Sequence, residues 1–333
     1  MASVNVALFG DLDSLAADAA GDLDRAVQPV LYHRLDWLRL TQRHCPPPGR
    51  LIAARVANGT RKSWVWLAAQ GARAQAFGSW YSLEVDAAGC RDADLLGYIP
   101  QALTGLARVE LYPLREPHPL ADAFRRAGWI ARVEPQGTNW QAFTAGKSFA
   151  DYWSERPSRL RNTVKRRTKA AGVDTVIHTR FDAAAWADYE RIYQSSWKGE
   201  EGSMPFLRAL AEQEGAAGTL RLGLAYKEGV PVAAQLWLVE NKTATIHKLA
   251  YDEAAKALSP GTILSAAMFA HVIDGDQVER IDYGVGDEPY KRDWMDRSQP
   301  LWRLLAINPR HPKAWPLLLK AAAAKLVAVA RSR

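Results

Sequence analysis

Apolar and polar residues alternate in short runs along the first half of the chain, and turn residues separate the runs. Asn58-Gly59-Thr60 is a strong hairpin signal, and Gly71 marks a second turn. The pattern predicts three strands, then a helix, a strand, a short helix and a further strand that begins after Gly128. The elements predicted before Gly128 are strands 51–57, 63–70 and 73–80, helix 93–104, strand 107–112 and helix 120–127.

The second half repeats this order of elements. Glu228-Gly229 and Asn241-Lys242 are the turns between its first strands. The predicted elements are strands 220–226, 231–240 and 243–251, helix 260–273 and strand 278–283. A repeated order of strands and helices predicts a duplicated α/β domain.

Capping residues predict the helices that precede the second copy. Ser148 is expected to cap a helix 149–156, and Gly172 is expected to end a basic helix that Pro157 opens. Asp182 is expected to cap a helix 183–197, and Ser203 starts a further helix that extends to about residue 214.

Composition and charge indicate the number of domains, the kind of partner and the redox compartment. The chain has 333 residues, enough for two domains with their own cores, and its net charge of +7 favours anionic partners such as phosphates, nucleic acid or an acidic membrane surface. Two cysteines, Cys45 and Cys90, do not make a disulfide framework and indicate a reducing compartment. No Cys/His pairing has the spacing of metal ligands, so no metal site is expected.

Targeting signals and membrane spans are not expected. Asp11 and Asp13 come too early for a signal peptide, and no apolar run is long enough to cross a bilayer. We therefore expect a cytoplasmic protein. The segment 315–330, which contains Lys320 and Lys325, is either a basic helix lying peripherally on an anionic inner membrane or a terminal helix packed on its own domain.

The start of helix 260–273 has the residue types of a phosphate site. Ser259 is predicted to cap it, and Pro260 gives up only an N–H that has no helical partner. The N–H groups of Gly261, Thr262 and Ile263 would then point forward together, where the helix dipole favours a phosphate or diphosphate. The alternative is simply a well-capped helix.

A second informative run lies at residues 282–294, DYGVGDEPYKRDW. It ends a predicted strand, bends on two glycines and gathers carboxylates, tyrosines, a lysine and a tryptophan. Binding and catalytic groups of α/β proteins commonly follow the end of a strand. The alternative is a polar, well-packed loop.

This order of elements resembles the GNAT acyltransferase fold, and its details resemble the FemAB-like branch with two fused GNAT domains. The resemblance is carried by KLAYD (248–252), by SPGTIL (259–264), and by DYG (282–284) followed by GDEPYK (286–291) and Trp294. It covers residues 149–294 and is topological over about the first 145 residues. It implies an α/β fold of two tandem GNAT-like domains, with mixed, mostly antiparallel sheets flanked by helices.

The resemblance also implies a donor site for acyl-CoA or acetyl-CoA, with aminoacyl-tRNA as the alternative donor. The loop 256–261 keeps the basic start and final glycine of the GNAT pyrophosphate loop, but Ser259 stands where the first glycine is expected. A backbone N–H near residues 235–238, on the splayed central strands, is expected to stabilise the oxyanion. The first half has no such helix start, so its donor site is expected to be vestigial. The predicted donor-binding residues are Lys256, Ser259, Gly261, Thr262, Ile263, Gln235, Leu236 and Trp237.

The implied reaction is direct attack of a neutral amine on the thioester carbon, which needs a base beside the amine. His247 is the candidate by residue type, with a reference pKa near 6.5; alternatively it is a structural residue of its strand. Asp287 and Glu288 are rival bases or amine binders, or else ion-pair partners of Lys291 and Arg292.

Further residues of the cluster have open roles. Lys291 is predicted to stabilise charge at the reacting centre, or else to pair with Asp287 at the surface. Tyr251 and Tyr290 are predicted to protonate the leaving group, or else to line the cleft. Trp294 either contacts substrate or closes the core.

The basic helix supplies the candidate contacts to an anionic substrate. Six cations within eleven residues repel one another unless an anion lies nearby, although a solvated helix face is the alternative. These cations are Arg159, Arg161, Lys165, Arg166, Arg167 and Lys169. The residues predicted to bind substrate are Arg159, Arg166, Asp282, Gly286, Glu288 and Trp294.

The sequence thus predicts a degenerate GNAT-like domain at 1–145, a GNAT-like domain with the donor site at 146–310 and a basic apolar helix at 311–333. The predicted function is transfer of an acyl group from acyl-CoA to an amine of an envelope or exopolysaccharide amino sugar, or of a lipid-like molecule. One alternative is an aminoacyl-tRNA-dependent ligase of cell-wall precursors. Another is a non-catalytic protein that binds a glycan or a polyprenyl phosphate.

Overall fold

The computed structural model describes residues 3–196 and 202–320. They form two compact units: the first contains the chain up to Gly137 and resumes at Pro300, and the second is Thr138–Gln299. The sequence placed the boundaries after residues 145 and 310 instead. The late boundary differs because the strand Arg297–Ile307 pairs with Arg108–Leu114 of the first unit. Of the predicted terminal helix, residues 315–320 are helical and the remainder lies outside the described residues.

The strands and helices are numbered along the chain. The strands are β1 (Asn5–Phe9), β2 (Arg50–Asn58), β3 (Arg61–Gln70), β4 (Arg73–Ala76), β5 (Ala88–Gly89), β6 (Arg108–Leu114), β7 (Ile130–Phe143), β8 (Val173–His178), β9 (Leu220–Lys227), β10 (Val230–Glu240), β11 (Thr243–Tyr251), β12 (Arg280–Val285) and β13 (Arg297–Ile307). The helices are α1 (Leu12–Ala19), α2 (Leu35–His44), α3 (Ala93–Leu96), α4 (Tyr98–Ala102), α5 (Pro117–Arg126), α6 (Phe149–Ser154), α7 (Ser158–Ala171), α8 (Ala183–Ser195), α9 (Met204–Ala216), α10 (Pro260–Ala270) and α11 (Lys291–Trp294).

The sheet of the first unit has the strand order β1-β2-β3-β4-β6-β13-β7, with β5 beside β3. The hairpin β2–β3 turns at Gly59, whose φ of +61° suits glycine. Helices α3, α4 and α5 pack on one face of the sheet around a core that includes Leu96 and Leu111. The predicted helix 93–104 is divided in two at Gly97, and the sequence pattern did not predict β1, α1 or α2.

The sheet of the second unit has the strand order β7-β12-β11-β10-β9-β8. Its flanking helices begin where their caps predicted: the Ser148 hydroxyl and the Asp151 carboxylate form a capping box on α6, and Asp182 and Ser203 cap α8 and α9. Gly172 ends α7 in the left-handed conformation. The predicted last residue of α8, Trp197, lies outside the described residues.

The parallel strands β11 and β12 separate after a short paired stretch. They pair at Thr243–Arg280, Ala244–Ile281 and Thr245–Asp282, while beyond Thr245 strand β11 continues beside β10 alone. Helix α10 packs on β10 and β9 on one face of the sheet, and α8 packs on β10 on the other. The mixed, mostly antiparallel α/β architecture confirms the predicted fold class.

Candidate active site

A cavity of about 320 Å³ opens in the second unit where β11 and β12 diverge. Its walls come from the end of β11, the loop into α10, the first turns of α10 and the segment after β12. Pockets of this size take small-molecule ligands or parts of larger ones. The lining residues are Gln235, Leu249, Ala250, Tyr251, Lys256, Ser259, Pro260, Gly261, Thr262, Ser265, Tyr283, Tyr290 and Trp294.

Strand β11 presents a backbone edge to this cavity. The Asp252 N–H donates to the Val232 carbonyl, so by alternation the N–H groups of Ala250 and Lys248 also face β10. The backbone groups of Leu249 and Tyr251 then face the gap, where the register of the described residues gives them no strand partner. Such an edge can hydrogen-bond an extended ligand or a developing oxyanion.

The splayed edge therefore differs from the one that the sequence predicted. Residues 235–238 lie on β10, which pairs with β9 on one side and β11 on the other. Leu236 and Trp237 are fully buried in the sheet, so they are removed from the donor-binding set. Gln235 stays in it: its amide donates to the Ser265 hydroxyl at 2.8 Å and to the Gly261 carbonyl at 3.2 Å, and it lines the cavity.

The start of α10 forms the second wall, with a different geometry from the predicted cap. Ser259 is left-handed, with φ +56°, and its side chain forms no capping hydrogen bond. The N–H groups of Thr262 and Ile263 both donate to the Ser259 carbonyl. Of the three N–H groups predicted to bind an anion, only that of Gly261 lacks an acceptor among the described residues. The start of α10 therefore offers fewer free donors than expected.

Gly261 leaves the approach to this N–H open. A Cβ built on Gly261 would contact the Tyr251 ring at 3.4 Å, so a longer side chain there would enter the cavity beside Tyr251. Ile263 points the other way, into the core, and is also removed from the donor-binding set. A backbone donor beside an open helix start remains suited to an anionic group.

Lys256 supplies a cation at the mouth of the cavity. Its ammonium is exposed and lies 2.6 Å from the Glu253 carboxylate, which raises the pKa of the lysine. The lysine is therefore charged at neutral pH and lies in the wall next to Ser259 and Gly261. Its position suits contact with a phosphate.

Three aromatic residues of β12 and the segment after it, Tyr283, Tyr290 and Trp294, also line the cavity. Burial raises the pKa values of both Tyr283 and Tyr290 well above 10, so each phenol keeps its proton at neutral pH. Tyr290 is 38% exposed and is therefore accessible, whereas Trp294 is largely buried and packs on Phe269. Trp294 thus closes the core and lines the cavity at once.

Lys291 holds the bend after β12 rather than facing the cavity. Its ammonium lies 2.9 Å from the Glu288 carboxylate and donates to the carbonyls of Val285 at 3.0 Å and Gly286 at 3.4 Å. Those contacts use the three N–H donors of an ammonium. The side chain is also buried, so the predicted contact with the reacting centre is replaced by a positioning role.

The other carboxylates of the 282–294 run have structural partners too. Asp287 accepts from the Trp140 indole at 2.9 Å and from Arg292 at 3.3 Å. Neither Asp287 nor Glu288 is among the residues that line the cavity, and Gly286, with φ +125°, forms the bend beside them. The structure thus favours the ion-pair interpretation of these two acids.

Asp282 is buried at the point where the strands separate. Its carboxylate accepts from Asn139 at 2.7 Å, from Gln141 at 3.0 Å and from the Gly284 N–H at 2.9 Å. The two amides belong to β7, so the carboxylate links β7 to β12. The predicted substrate contact through Asp282 is therefore replaced by a buried clamp.

His247 occupies a β-bulge two residues after Thr245, the residue of β11 that pairs with Asp282. Leu236 pairs with Lys248 and Trp237 with Ile246, so His247 is the extra residue of β11. Burial, followed by the nearby Lys248 charge, lowers the pKa of His247 to about 4. The imidazole is neutral at pH 7 and so has a lone pair to accept a proton. It does not line the cavity, so a role as base requires an acceptor that enters from its own side of the gap.

The basic helix α7 packs beside α10 through Leu160 and Val164. Arg159 is exposed and pairs with Asp293 of α11 at 2.7 Å, which ties the start of α7 to the segment that carries Tyr290. Arg166 is exposed and has no ion-pair partner among the described residues. Neither arginine lines the cavity.

The sequence analysis missed several wall residues. These are Leu249, Ala250, Pro260, Ser265 and Tyr283. Leu249, Ala250, Pro260 and Tyr283 lie inside motifs that carried the family resemblance, and Ser265 follows from the helical period, since it lies one turn after Gly261. Position within a family motif therefore identifies more of these wall residues than residue type does.

Comparison with known proteins assigns the domain. Residues 154–292 match the sequence model of the family described as Acetyltransferase (GNAT) domain. No curated protein matches the chain. Within the described residues, no helix is both long and apolar enough to cross a membrane, and no group of three or more His, Cys, Asp or Glu side chains has the arrangement of a metal site.

Solved structures share the fold across most of the chain. A C-terminal domain assigned to a lysylphosphatidylglycerol synthetase of Agrobacterium fabrum has a TM-score of 0.60 at 13% identity, covering 92% of this chain and 95% of that one. FemX has a TM-score of 0.58 at 9% identity, covering 85% and 96%. A tandem GNAT protein from the clavulanic acid pathway has a TM-score of 0.52 at 13% identity, covering 93% and 100%.

The second unit therefore carries a GNAT domain. The chain shares the fold of a tandem GNAT protein and of FemX over most of its length, as the sequence motifs predicted. At these identities the likeness to solved structures establishes the fold, and the domain supports a transferase.

Proposed function

We propose that the second unit transfers an acyl group from acyl-CoA to an amine. The observation that carries this proposal is the cavity between β11 and β12, because it combines an unpaired strand edge with an open helix start. The Gly261 N–H and the Lys256 ammonium would hold the diphosphate, and the Leu249 and Tyr251 backbone would hold the pantetheine arm. This arrangement brings the thioester to the point where the strands separate.

The chemistry follows from the groups around that point. The amine nitrogen attacks the thioester carbon, and a backbone N–H of the β11 edge stabilises the oxyanion. His247, neutral at pH 7, accepts the proton that the amine loses. The carbon–sulfur bond breaks, and Tyr290, whose raised pKa keeps it protonated, donates a proton to the departing thiolate. The acceptor we favour is an amino sugar or lipid-like amine of the cell envelope or an exopolysaccharide.

A thiol-release assay with a panel of acyl-CoA donors and amine acceptors tests this function. We expect release that depends on both substrates, with His247→Ala lowering turnover by about a hundredfold if His247 is the base. Donor binding without transfer to any amine would favour a non-catalytic binding protein. No binding of any acyl-CoA would contradict the proposal.

Aminoacyl-tRNA is the second candidate donor. Two observations favour it: the solved structures of like fold include FemX and a lysylphosphatidylglycerol synthetase domain, and α7 carries six cations and no acidic residue. A tRNA donor predicts binding that weakens steeply with salt and is lost when Lys165, Arg166 and Lys169 are changed to glutamate. An acyl-CoA donor predicts little effect of the same changes.

A further inference from the structure

A cavity of about 260 Å³ lies in the first unit, beside the loop that follows β13. Its walls come from the end of α4, from the junction between α5 and β7, and from the segment 308–312. All of its wall residues belong to the first unit. We call it the Arg310 cavity.

Arg310 supplies a cation to this cavity. Its guanidinium donates to the Ala127 carbonyl through Nη1 at 3.1 Å, and it has no carboxylate partner among the described residues. An arginine has five N–H donors, so most of them remain open to a ligand. The wall residues in the described part of the chain include no Asp or Glu. A planar guanidinium with open donors is suited to a phosphate or carboxylate group.

The neighbours of Arg310 fix its position. The buried Asn308 donates to the Leu106 carbonyl at 3.2 Å, and its side-chain oxygen accepts from the Arg310 N–H at 3.1 Å. A Cβ built on Gly128, which has φ +84°, would lie 2.8 Å from Nη2 of Arg310, so only glycine allows this close approach of the guanidinium. Arg310 is therefore ordered before a ligand arrives, which lowers the entropic cost of binding.

His311 adds a second donor to the walls. Its Nδ1 accepts from the Lys313 N–H at 3.2 Å, which places the proton of the neutral ring on Nε2. That Nε2–H has no acceptor among the described residues. The exposed side chains of Gln101 and Thr104 contribute further neutral polar groups.

The remaining walls of the Arg310 cavity are apolar. Trp129 is largely buried, and its ring is held by an edge-to-face contact with Phe124 at a centroid distance of 5.2 Å. Pro100 and Pro312 also line the cavity. Small-molecule sites commonly combine apolar walls with a few fixed polar groups, and here the charged group is a cation. The walls thus suit an organic anion that has an apolar or aromatic body.

We propose that the Arg310 cavity binds a small organic acid. The phosphate or carboxylate group of the ligand binds Arg310 and His311, and its apolar body lies against Trp129. This site lies within the first unit and does not depend on acyl transfer in the second. The first unit, in which no donor helix start was expected, would then have a binding role of its own.

Titration calorimetry with phenyl phosphate, and separately with benzoate, tests this proposal, and benzamide is the uncharged comparison. Arg310→Gln is expected to weaken binding of the anions by about tenfold. His311→Asn, which keeps an acceptor for the Lys313 N–H but removes the Nε2 donor, should weaken it by a smaller factor. The matched control is Arg125→Gln on α5, because Arg125 is also exposed and also donates to a backbone carbonyl, that of Ala131. It should leave the affinity unchanged.

The outcomes separate the two anion types and the two units. Tighter binding of phenyl phosphate indicates a phosphate ligand, and tighter binding of benzoate indicates a carboxylate. The proposal is overturned if neither anion binds, if benzamide binds as tightly as benzoate, or if Arg310→Gln keeps the wild-type affinity. Should Arg310→Gln not fold, unchanged affinity of His311→Asn overturns it instead. Gly261→Glu should bind these anions as the wild type does; loss of binding there would place the anion at α10 and also overturn the proposal.

Discussion

Thr245 of β11 and Asp282 of β12 form the last register pair between these parallel strands. Beyond this pair the Asp282 carboxylate is held by the amides of Asn139 and Gln141 on β7, which binds β12 to β7. Strand β11 continues beside β10. The separation of the two strands is thus fixed by hydrogen bonds on both sides, and the cavity lies in the opening.

Removing the charge of Asp282 should weaken this clamp. Asp282→Asn places an NH₂ group against amide donors of Asn139, Gln141 or Gly284, which leaves buried donors without acceptors. We expect the free energy of unfolding to fall by about 3 kcal/mol in urea denaturation. Asp293→Asn, which removes only an ion pair with an exposed arginine, is the control and should cost less than about 1 kcal/mol. Equal effects of the two changes would show that Asp282 is not a clamp.

If Lys291 has a positioning role, its substitution should lower the stability of the protein. Lys291→Met leaves the Val285 and Gly286 carbonyls without their donor, so we expect a loss of about 2 kcal/mol in the free energy of unfolding. Lys256→Met, at an exposed lysine that also pairs with a glutamate three residues away, should change stability little. If Lys291→Met retains full stability but loses turnover, the lysine acts on the reacting centre instead.

The lowered pKa of His247 makes stability depend on pH. The folded imidazole titrates at about 4 and the unfolded one near 6.5, so the unfolded chain binds a proton first as pH falls. This contribution is fully present above pH 6.5 and is lost as pH falls to 4, by about 3 kcal/mol in total. His247→Gln should show a correspondingly shallower loss in denaturation experiments across this range. If the free energy of unfolding of the wild-type protein changes with pH in parallel with that of the variant, the His247 imidazole is in contact with water.

Sequence reasoning predicted several of the residues that line the cavity, because the motifs lie where strands end and helices begin. Gly261 and Tyr251 both lie in the cavity wall. The strand pattern predicted where β11 ends and the turn residues predicted where α10 begins, so both ends of the segment that joins them were predicted. The register was harder to predict: whether β10 or β11 has the open edge depends on pairing between distant residues, which the alternation within one strand does not reveal.

The partners of individual side chains could not be predicted from the sequence either. Lys291 looks like an exposed lysine beside a glycine bend, and only the folded loop shows that its ammonium is buried among carbonyl groups. Ser259 has the residue type of a helix cap, yet the backbone there adopts a left-handed conformation because the preceding 3-10 turn, Glu253–Leu258, leads directly into α10. Local propensity gave way to tertiary geometry at both positions.

The most direct test of the central claim is calorimetric titration of the protein with coenzyme A and acetyl-CoA. Gly261→Glu puts a carboxylate beside Tyr251 at the open start of α10, where a diphosphate is expected. Gly275→Glu, in open space beyond the other end of the helix, is the matched control. The account predicts binding to the wild-type and Gly275→Glu proteins and none to a folded Gly261→Glu protein. Undiminished affinity in Gly261→Glu would contradict it.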